Sequence, residues 1–381
     1  MFKSRRFIRE SCGGQDLNLG TPAGRDPKSR AVSELGYRRA ERQPRRARKA
    51  FPPCSGVAIL LVRERYMAVG DILASMPFER LPFDSETHLA DVRMFQQEAF
   101  GAVYLIDDER KAIIETGTSW DVGRIREAIR GFGLKSADID ALIVSHIHLD
   151  HAGGAGFLIP DMPHAKVYVH ERGFKHLADP TRLVASAREA LGPQEAEIFG
   201  TMHPISSGRL VAVKNGDRLD LGKHVLAFVD SPGHAPHELT ILDEANRCVY
   251  TGDAAGLYFP GDDILMPIAP APAFDLGQNL ETLERILALE PRALLFSHYG
   301  PHSNPRKAIE SMLIAYPTWA RVVREKLDSA GEDSVLRELY DMSCRTAKRY
   351  PRDFLERRIR VSITGLAAYH ERMEHAASGH R

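Results

Sequence analysis

The sequence feature that most constrains this chain is a histidine-rich hexapeptide placed directly after a short apolar run. Ala141 to Val144 has the composition of a buried strand, and His146-Ile147-His148-Leu149-Asp150-His151 follows it. Alternate side chains of an extended segment share one side, so the first two histidines and the aspartate are expected to point the same way. A turn into a helix would then swing the last histidine inward. Imidazole nitrogens and carboxylate oxygens are ligands for zinc and related divalent ions, so the hexapeptide predicts a metal site.

Three more residues of ligand type follow apolar runs later in the chain. His234 comes after the run that ends at Val229, Asp253 after Val249-Tyr250, and His298 after Leu294-Leu295-Phe296. If each apolar run is a strand, each of these side chains lies at a strand end.

This pattern resembles the H-x-H-x-D-H signature and the later strand-end ligands of the metallo-β-lactamase superfamily, over roughly residues 95–305. The resemblance implies an α/β fold, a four-layer αββα sandwich of two mixed sheets with helices outside, the metals at one edge, and here a C-terminal helical extension. It also implies the ligand set. His146, His148 and His234 would hold one metal, Asp150, His151 and His298 the other, and Asp253 would bridge them. His237 and His302 remain alternatives to His234 and His298.

The same resemblance implies a hydrolase that uses two divalent metal ions. Two such ions share a water molecule and lower its pKa towards neutrality, so that a metal-bridged hydroxide can attack a carbonyl or phosphorus centre. Asp150 is the catalytic candidate, because it can hold a metal and also orient the hydroxide. Zinc is the expected metal, and iron or manganese would suit the same ligands. Glu115, at the end of an apolar run, either supports the metal ligands from behind or is an ordinary turn residue.

The substrate stays open between several classes. A small thioester, lactone or other ester is favoured, by resemblance to glyoxalase II and to the acyl-homoserine lactonases. The alternatives are a mononuclear iron persulfide dioxygenase, a ribonuclease Z-like phosphodiesterase, and a non-catalytic metal-binding descendant of the fold. Tyr299-Gly300 after the last ligand departs from glyoxalase II, and Gly256 stands where those lactonases place a tyrosine. Gly256 to Pro260 and Met266 to Ile268 could supply an apolar substrate wall, or could simply pack in the core.

Charge divides the chain into unlike parts. Residues 1–50 contain fourteen basic and five acidic residues, whereas the remainder contains thirty-seven basic and forty-six acidic residues. The mildly acidic body disfavours nucleic acid as a partner, since such binding needs a basic footprint. A small-molecule substrate is therefore expected, and a homodimer is left open.

Composition also predicts three segments. Residues 1–66 are basic and show no apolar period, so they are expected to be a disordered or non-native N-terminal extension that is dispensable for folding. Met67 starts an ordinary-looking sequence, and residues 67–304 are expected to form the metallo-β-lactamase domain. Residues 305–381 are predicted to be helical, in four segments: Ala308 to Ala315, Trp319 to Ser329, Val335 to Thr346 and Phe354 to Glu371.

This helical region is expected to shape the substrate mouth without supplying metal ligands. Seven basic residues lie in it, and one or two could grip an anionic substrate group: Arg345, Lys348, Arg349, Arg352, Arg357, Arg358 and Arg360. The alternative is a solvated helix face.

Compartment and membrane predictions come from the cysteines and from hydropathy. The four cysteines are scattered, which is typical of a reducing compartment, so a cytoplasmic location is expected. The longest early apolar run, Val57 to Val62, is far shorter than the roughly 18–20 residues that span a bilayer, so no membrane association is expected.

Overall fold

The computed structural model describes residues 78–192 and 197–378. Fifteen strands in this part of the chain form two large sheets and one two-stranded ribbon. Their bounds are β1 Glu79–Arg80, β2 Thr87–Asp91, β3 Ala102–Ile106, β4 Ala112–Ile114, β5 Ala141–Ile143, β6 Lys166–His170, β7 Leu210–Val213, β8 Arg218–Asp220, β9 Val225–Asp230, β10 Leu239–Asp243, β11 Cys248–Gly252, β12 Leu257–Phe259, β13 Ile264–Met266, β14 Ala293–Phe296 and β15 Gly300–His302.

Both large sheets are mixed. The first has the order β1-β2-β3-β4-β5-β6-β7, antiparallel as far as β4 and parallel from β4 to β7. The second has the order β15-β14-β11-β10-β9-β8, in which β11 and β14 are parallel. Because β9 and β11 each pair antiparallel with β10, the strands β9, β11 and β14 all run in one direction. Their carboxyl ends therefore meet at one edge of the sandwich.

Strand alternation divides the core into an inner and an outer layer. Tyr104 and Ile106 of β3 belong to a buried cluster that also contains Phe228 and Tyr250 of the second sheet, so this cluster fills the space between the sheets. Val103 and Leu105 belong to a second cluster together with residues of the helices. Alternate side chains of one strand thus face the opposite sheet and the outer helices, as the period of two requires.

Nine α-helices whose bounds lie within the described ranges cover the outer faces and form the C-terminal region. They are α1 Val122–Gly131, α2 Leu149–Ala152, α3 Ala155–Leu158, α4 Glu171–Ala178, α5 Thr181–Leu191, α6 Leu276–Ala288, α7 Pro305–Ala330, α8 Glu332–Ser343 and α9 Arg352–Ser378. Ile125 and Ile129 of α1 cluster with Leu142 of the first sheet, and Leu283 of α6 clusters with Leu294 of the second. The predicted four-layer αββα sandwich with a C-terminal helical extension is confirmed.

The number of C-terminal helices differs from the prediction. Pro317 divides the first two predicted segments in the sequence, yet α7 runs unbroken from Pro305 to Ala330. Proline removes one intrahelical hydrogen bond, which normally breaks a helix. Here Tyr316 and Trp319 are buried on either side of the proline, and the Thr318 hydroxyl donates to the Ile314 carbonyl at 2.7 Å. Packing of the helix therefore outweighs the local penalty.

The predicted extension 1–66 lies outside the described residues. Within the part of the chain that the structure describes, none of the helices has the length and apolar character that crossing a membrane requires.

Candidate metal centre

The residues predicted to be ligands reach one edge of the sandwich from four strand ends. β5 leads into the hexapeptide, β9 precedes His234, β11 precedes Asp253, and β14 precedes His298. One local expectation was wrong: α2 begins at Leu149, so Asp150 is positioned by a helical turn and not by strand alternation. It still reaches the same cluster of side chains.

The first predicted subsite contains three imidazoles. The Nδ1 atom of His148 lies 2.8 Å from Nε2 of His146 and 3.1 Å from Nε2 of His234. All three nitrogens therefore converge on one point. His234 is also oriented from behind, because its Nδ1 atom lies 3.3 Å from the carbonyl oxygen of Ile268.

The second predicted subsite contains His151, His298 and Asp150. The Nε2 atoms of the two histidines are 3.2 Å apart, and Asp150 places Oδ1 4.0 Å from His151 Nε2 and Oδ2 3.7 Å from His298 Nε2. The Nδ1 atom of His298 donates to the Phe100 carbonyl at 2.8 Å, which orients the ring.

Asp253 lies between the two subsites. Its Oδ2 atom is 3.5 Å from His234 Nε2, and its Oδ1 atom is 3.5 Å from His151 Nε2 and 3.7 Å from His298 Nε2. Oδ1 is buried and has no hydrogen-bond partner among the described residues. A buried carboxylate oxygen without a donor is costly unless a cation compensates it, so this arrangement suits a shared cation.

The charge states of these groups also fit divalent cations. Burial and the neighbouring His234 lower the pKa of His148 to about 3, and burial lowers the pKa of His146 and His234 as well. These imidazoles are therefore neutral near pH 7, as metal ligands must be. Burial opposes the charged carboxylate of Asp253, but His151 and the other nearby histidines outweigh it and lower its pKa.

His151 is the exception among the histidines. Burial alone would disfavour its imidazolium form, but the carboxylates of Asp253, Glu115 and Asp150 raise its pKa well above the ordinary value. A proton thus balances the negative charge there, and a metal ion bound at His151 would displace it.

Glu115 lies behind this second subsite, as one of the two sequence interpretations proposed. Its Oε1 atom is 3.3 Å from His151 Nδ1 and accepts a hydrogen bond from the Ser297 hydroxyl at 2.8 Å. The residue has a left-handed backbone with φ 70°, which is unfavourable for a residue other than glycine. Such strain is typical of functional positions, so we assign Glu115 to orienting His151.

We expect Glu115→Gln to weaken metal binding by about 10- to 100-fold, the usual effect of losing an outer carboxylate behind a metal-ligating histidine. Metal content measured after dialysis against a graded chelator would show this. Glu127→Gln, at an exposed position of α1, is the matched control. Equal metal retention in the two variants would contradict this role.

Glu238 was missed by sequence reasoning. Its Oε1 atom accepts a hydrogen bond from the Asp253 amide at 2.7 Å and lies 3.8 Å from His146 Nδ1, so it contacts the first subsite and the backbone of Asp253 from behind. Gly252 makes this contact possible, because a Cβ atom there would lie 2.7 Å from Glu238 Oε1. The only signal in the sequence is an acidic residue directly before β10.

The alternative histidines lie at the margins of the centre. The His237 ring is 5.7 Å from that of His148 and 6.2 Å from that of His146, whereas His302 packs against Tyr258 at 4.9 Å. Neither belongs to a group of described residues whose ligand atoms converge as those of His234 and His298 do.

An aromatic wall, formed by Phe95, Phe100 and Phe354, stands beside the second subsite. Phe100 stacks on the His298 ring at 4.6 Å, and the Arg358 guanidinium lies 4.8 Å from the Phe100 ring and 3.9 Å from the Phe354 ring. By contrast, the Met266 and Phe259 side chains of the wall expected from the sequence are buried in the core, so their role is packing.

Two mixed sheets between helices, with histidines and aspartates gathered at one strand-end edge, define a metal-binding protein of the αββα class. The family model described as the metallo-beta-lactamase superfamily matches residues 96–298, which is more than half of the chain. The chain therefore belongs to the metallo-β-lactamase superfamily, whose members generally are metal-dependent enzymes that bind divalent metal ions.

Similar proteins include both named enzymes and fold-level relatives. A metallo-beta-lactamase fold-containing protein of Sulfurisphaera tokodaii is 30% identical over 168 residues, covering 42% of this chain and 61% of the relative. The coenzyme F420H(2) oxidase of Methanothermobacter marburgensis is 27% identical over 254 residues, covering 59% of this chain and 55% of the relative. The chain thus spans about three fifths or less of these relatives' lengths.

A solved structure of a metallo-beta-lactamase family protein from Thermus thermophilus is similar in fold. It superimposes with a TM-score of 0.54 over 80% of this chain and 93% of that protein, at 18% identity. At this identity the likeness concerns the fold alone.

Proposed function

We propose that this chain is a hydrolase that uses two divalent metal ions, zinc being the expected metal, on a small thioester, lactone or other ester. The observation that carries the proposal is the position of Asp253 between two groups of converging ligand atoms. A carboxylate that lies between two complete groups of ligand atoms favours a site with two metal ions over a site with one.

The residues of the site are assigned separate roles in holding the metal ions, orienting water and positioning the ligands. Bound divalent ions would supply Lewis-acid activation of water and of the scissile carbonyl group. Asp150 is partly open to solvent, with 19% of its side chain exposed, and its Oδ2 atom lies 3.7 Å from His298 Nε2. From this position its carboxylate can orient an attacking water molecule and accept its proton. Glu115 and Glu238 keep the histidine rings and the Asp253 backbone in place.

A groove of about 650 Å³ opens beside the first subsite, which is a suitable size for a small molecule. Its lining residues include His237, Phe174, Arg172 and Lys175. An apolar surface with nearby cations suits an acyl group that carries an anion. Arg358, one of the seven C-terminal basic residues, is buried and lies 4.8 Å from the Phe100 ring, so it supports the aromatic wall. That basic residues of the C-terminal region hold a substrate anion stays a prediction.

An oxidoreductase is the second candidate, and one observation favours it. The coenzyme F420H(2) oxidase matches 59% of this chain, and the same histidine and carboxylate ligands accept iron. The two candidates differ in metal and in oxygen consumption.

The experiment is metal analysis of the full chain purified without added metal, combined with assays on a thioester, a lactone and a phosphodiester. We expect two equivalents of zinc, and ester or thioester turnover that is lost on chelation and restored by zinc. Bound iron with oxygen consumption, and no hydrolysis after zinc loading, would favour the oxidoreductase. Cleavage of the phosphodiester alone would reject the proposed substrate class.

A further inference from the structure

A second cluster of metal-ligand side chains lies at the edge of the sandwich opposite the predicted metal centre. His224 immediately precedes β9, whereas His234 of the predicted centre follows the same strand. Asp84 and Glu86 reach His224 from the turn between β1 and β2, so the cluster joins turns of both large sheets. The ligand atoms of these three residues all lie within 4.8 Å of one another.

The His224 ring is oriented as a metal ligand would be. Its Nδ1 atom donates to the Asp243 carboxylate at 2.7 Å, and Asp243 is fully buried. A carboxylate that holds one ring nitrogen of a histidine is the common outer partner of a metal-ligating imidazole. In the neutral ring this hydrogen bond leaves the lone pair on Nε2, the atom that faces the two acidic side chains.

The Nε2 atom is buried, and it has no hydrogen-bond partner among the residues the structure describes. His224 is only 1% exposed. The Nε2 atom lies 3.8 Å from Asp84 Oδ2 and 3.8 Å from Glu86 Oε2. These separations are too long for hydrogen bonds. Two ligands that share a cation about 2.0–2.2 Å from each are separated by roughly 3.3–4 Å, so the distances suit a shared ion.

The predicted metal centre provides a comparison within the same molecule. There, the histidine nitrogens lie 3.5 to 3.7 Å from the carboxylate oxygens of Asp253. The His224 cluster thus has nearly the same spacing between nitrogen and oxygen atoms.

The negative charge of the surrounding carboxylates also favours a bound cation. Asp84, Glu86 and Asp243 bring three carboxylates around one imidazole, and the Lys223 ammonium, which contacts Glu86 at 2.8 Å, is the cation paired with them in the structure. Lys223 is 61% exposed, so it can move into solvent. The Oδ2 atom of Asp84 accepts hydrogen bonds from the Thr87 hydroxyl at 2.5 Å and from the Asn246 side-chain amide at 2.6 Å, which fix the carboxylate. An ion bound to this oxygen would share it with these two donors or displace one of them.

We propose that His224, Asp84 and Glu86 form a separate divalent-cation site. An ion bound there would link the two large sheets at the edge opposite the predicted metal centre. One nitrogen and two carboxylate ligands suit zinc, cobalt or manganese. Because the ligands come from turns of both sheets, the bound ion stabilises the sandwich and takes no part in the reaction. The proposal does not depend on the proposed hydrolase activity.

The test measures zinc binding by the full chain in two ways. Equilibrium dialysis with metal analysis gives the number of bound ions and their affinity, and the melting temperature gives the stabilisation by zinc. Glu86→Gln keeps the size of a partly exposed side chain, and His224→Ala removes the central ligand. We expect each variant to bind one equivalent of zinc fewer than the wild type, or to bind that equivalent at least about tenfold more weakly. The zinc bound at the predicted metal centre should be retained. The zinc-dependent rise in melting temperature should shrink in both. His164→Ala, at an exposed position, is the matched histidine control.

The Lys223→Met variant distinguishes two interpretations of the cluster: a cation-binding site, and a network of ion pairs that needs no metal ion. If Lys223 competes with a metal ion for Glu86, its removal should tighten zinc binding at this site by about threefold or more. If the wild type, Glu86→Gln and Lys223→Met all bind the same amount of zinc with the same affinity, the proposal is overturned. A folded His224→Ala variant with unchanged stoichiometry would overturn it as well.

Discussion

Asp253→Ala is expected to lower metal occupancy at both subsites and to reduce turnover by about a thousandfold or more. Its two carboxylate oxygens face opposite groups of histidines, Oδ2 towards His234 and Oδ1 towards His151 and His298. Without this carboxylate, the first group is left with imidazoles alone, and the second keeps only the more exposed Asp150 carboxylate. A loss of about 4 kcal/mol of transition-state stabilisation, typical of losing a metal's contribution, corresponds to that factor in rate. Metal analysis after gel filtration and steady-state kinetics on the best ester substrate would measure both effects.

His164→Ala is the control for the Asp253 variant. His164 is exposed and belongs to none of the groups of converging ligand atoms in the described residues. We expect its metal content and turnover to match the wild type. Equal loss of metal in the two variants would show that the ligand assignment is wrong. Loss of one equivalent only from Asp253→Ala would show that the carboxylate serves one ion and does not bridge.

The strand-end residues could be predicted because their signals are local in sequence. The apolar run Leu294 to Phe296 is followed two residues later by His298, so a single short segment contains both the strand and the ligand. The parallel course of β9, β11 and β14 then brings such ends together, which the order of motifs along the chain already suggested. The same reasoning could not choose between His234 and His237, because that choice depends on where each ring points.

The parts that were missed depend on contacts between distant segments. Glu238 orients Asp253 only because Gly252 leaves space for it, and Phe100 forms a wall only because it stacks on His298, far away in sequence. Pro317 misled the helix boundaries for a similar reason, since tertiary packing overrides a local helix breaker. Contacts of this kind leave no pattern within a single segment.

One connection between the C-terminal helices and the predicted metal centre runs through a carbonyl group. The Ile268 carbonyl lies 3.3 Å from His234 Nδ1 and also accepts a hydrogen bond from the Tyr316 hydroxyl of α7 at 3.3 Å. Tyr316 in turn stacks on Phe274 of the sandwich at 5.7 Å. Removing support for α7 should therefore disturb both the stability of the fold and the position of His234.

Trp319→Ala tests this coupling, because Trp319 is 1% exposed and is the largest fully buried side chain among the described residues. We expect the free energy of unfolding to fall by about 3–5 kcal/mol, the usual cost of replacing a buried aromatic residue with alanine. The midpoint of urea unfolding should fall accordingly, and metal should be lost at a lower chelator concentration. Ile314→Ala on the same helix, where the side chain is 70% exposed, should change stability by no more than about 0.5 kcal/mol. If Trp319→Ala unfolds in a separate early transition while the metal stays bound, the helices form an independent unit and do not support the metal centre.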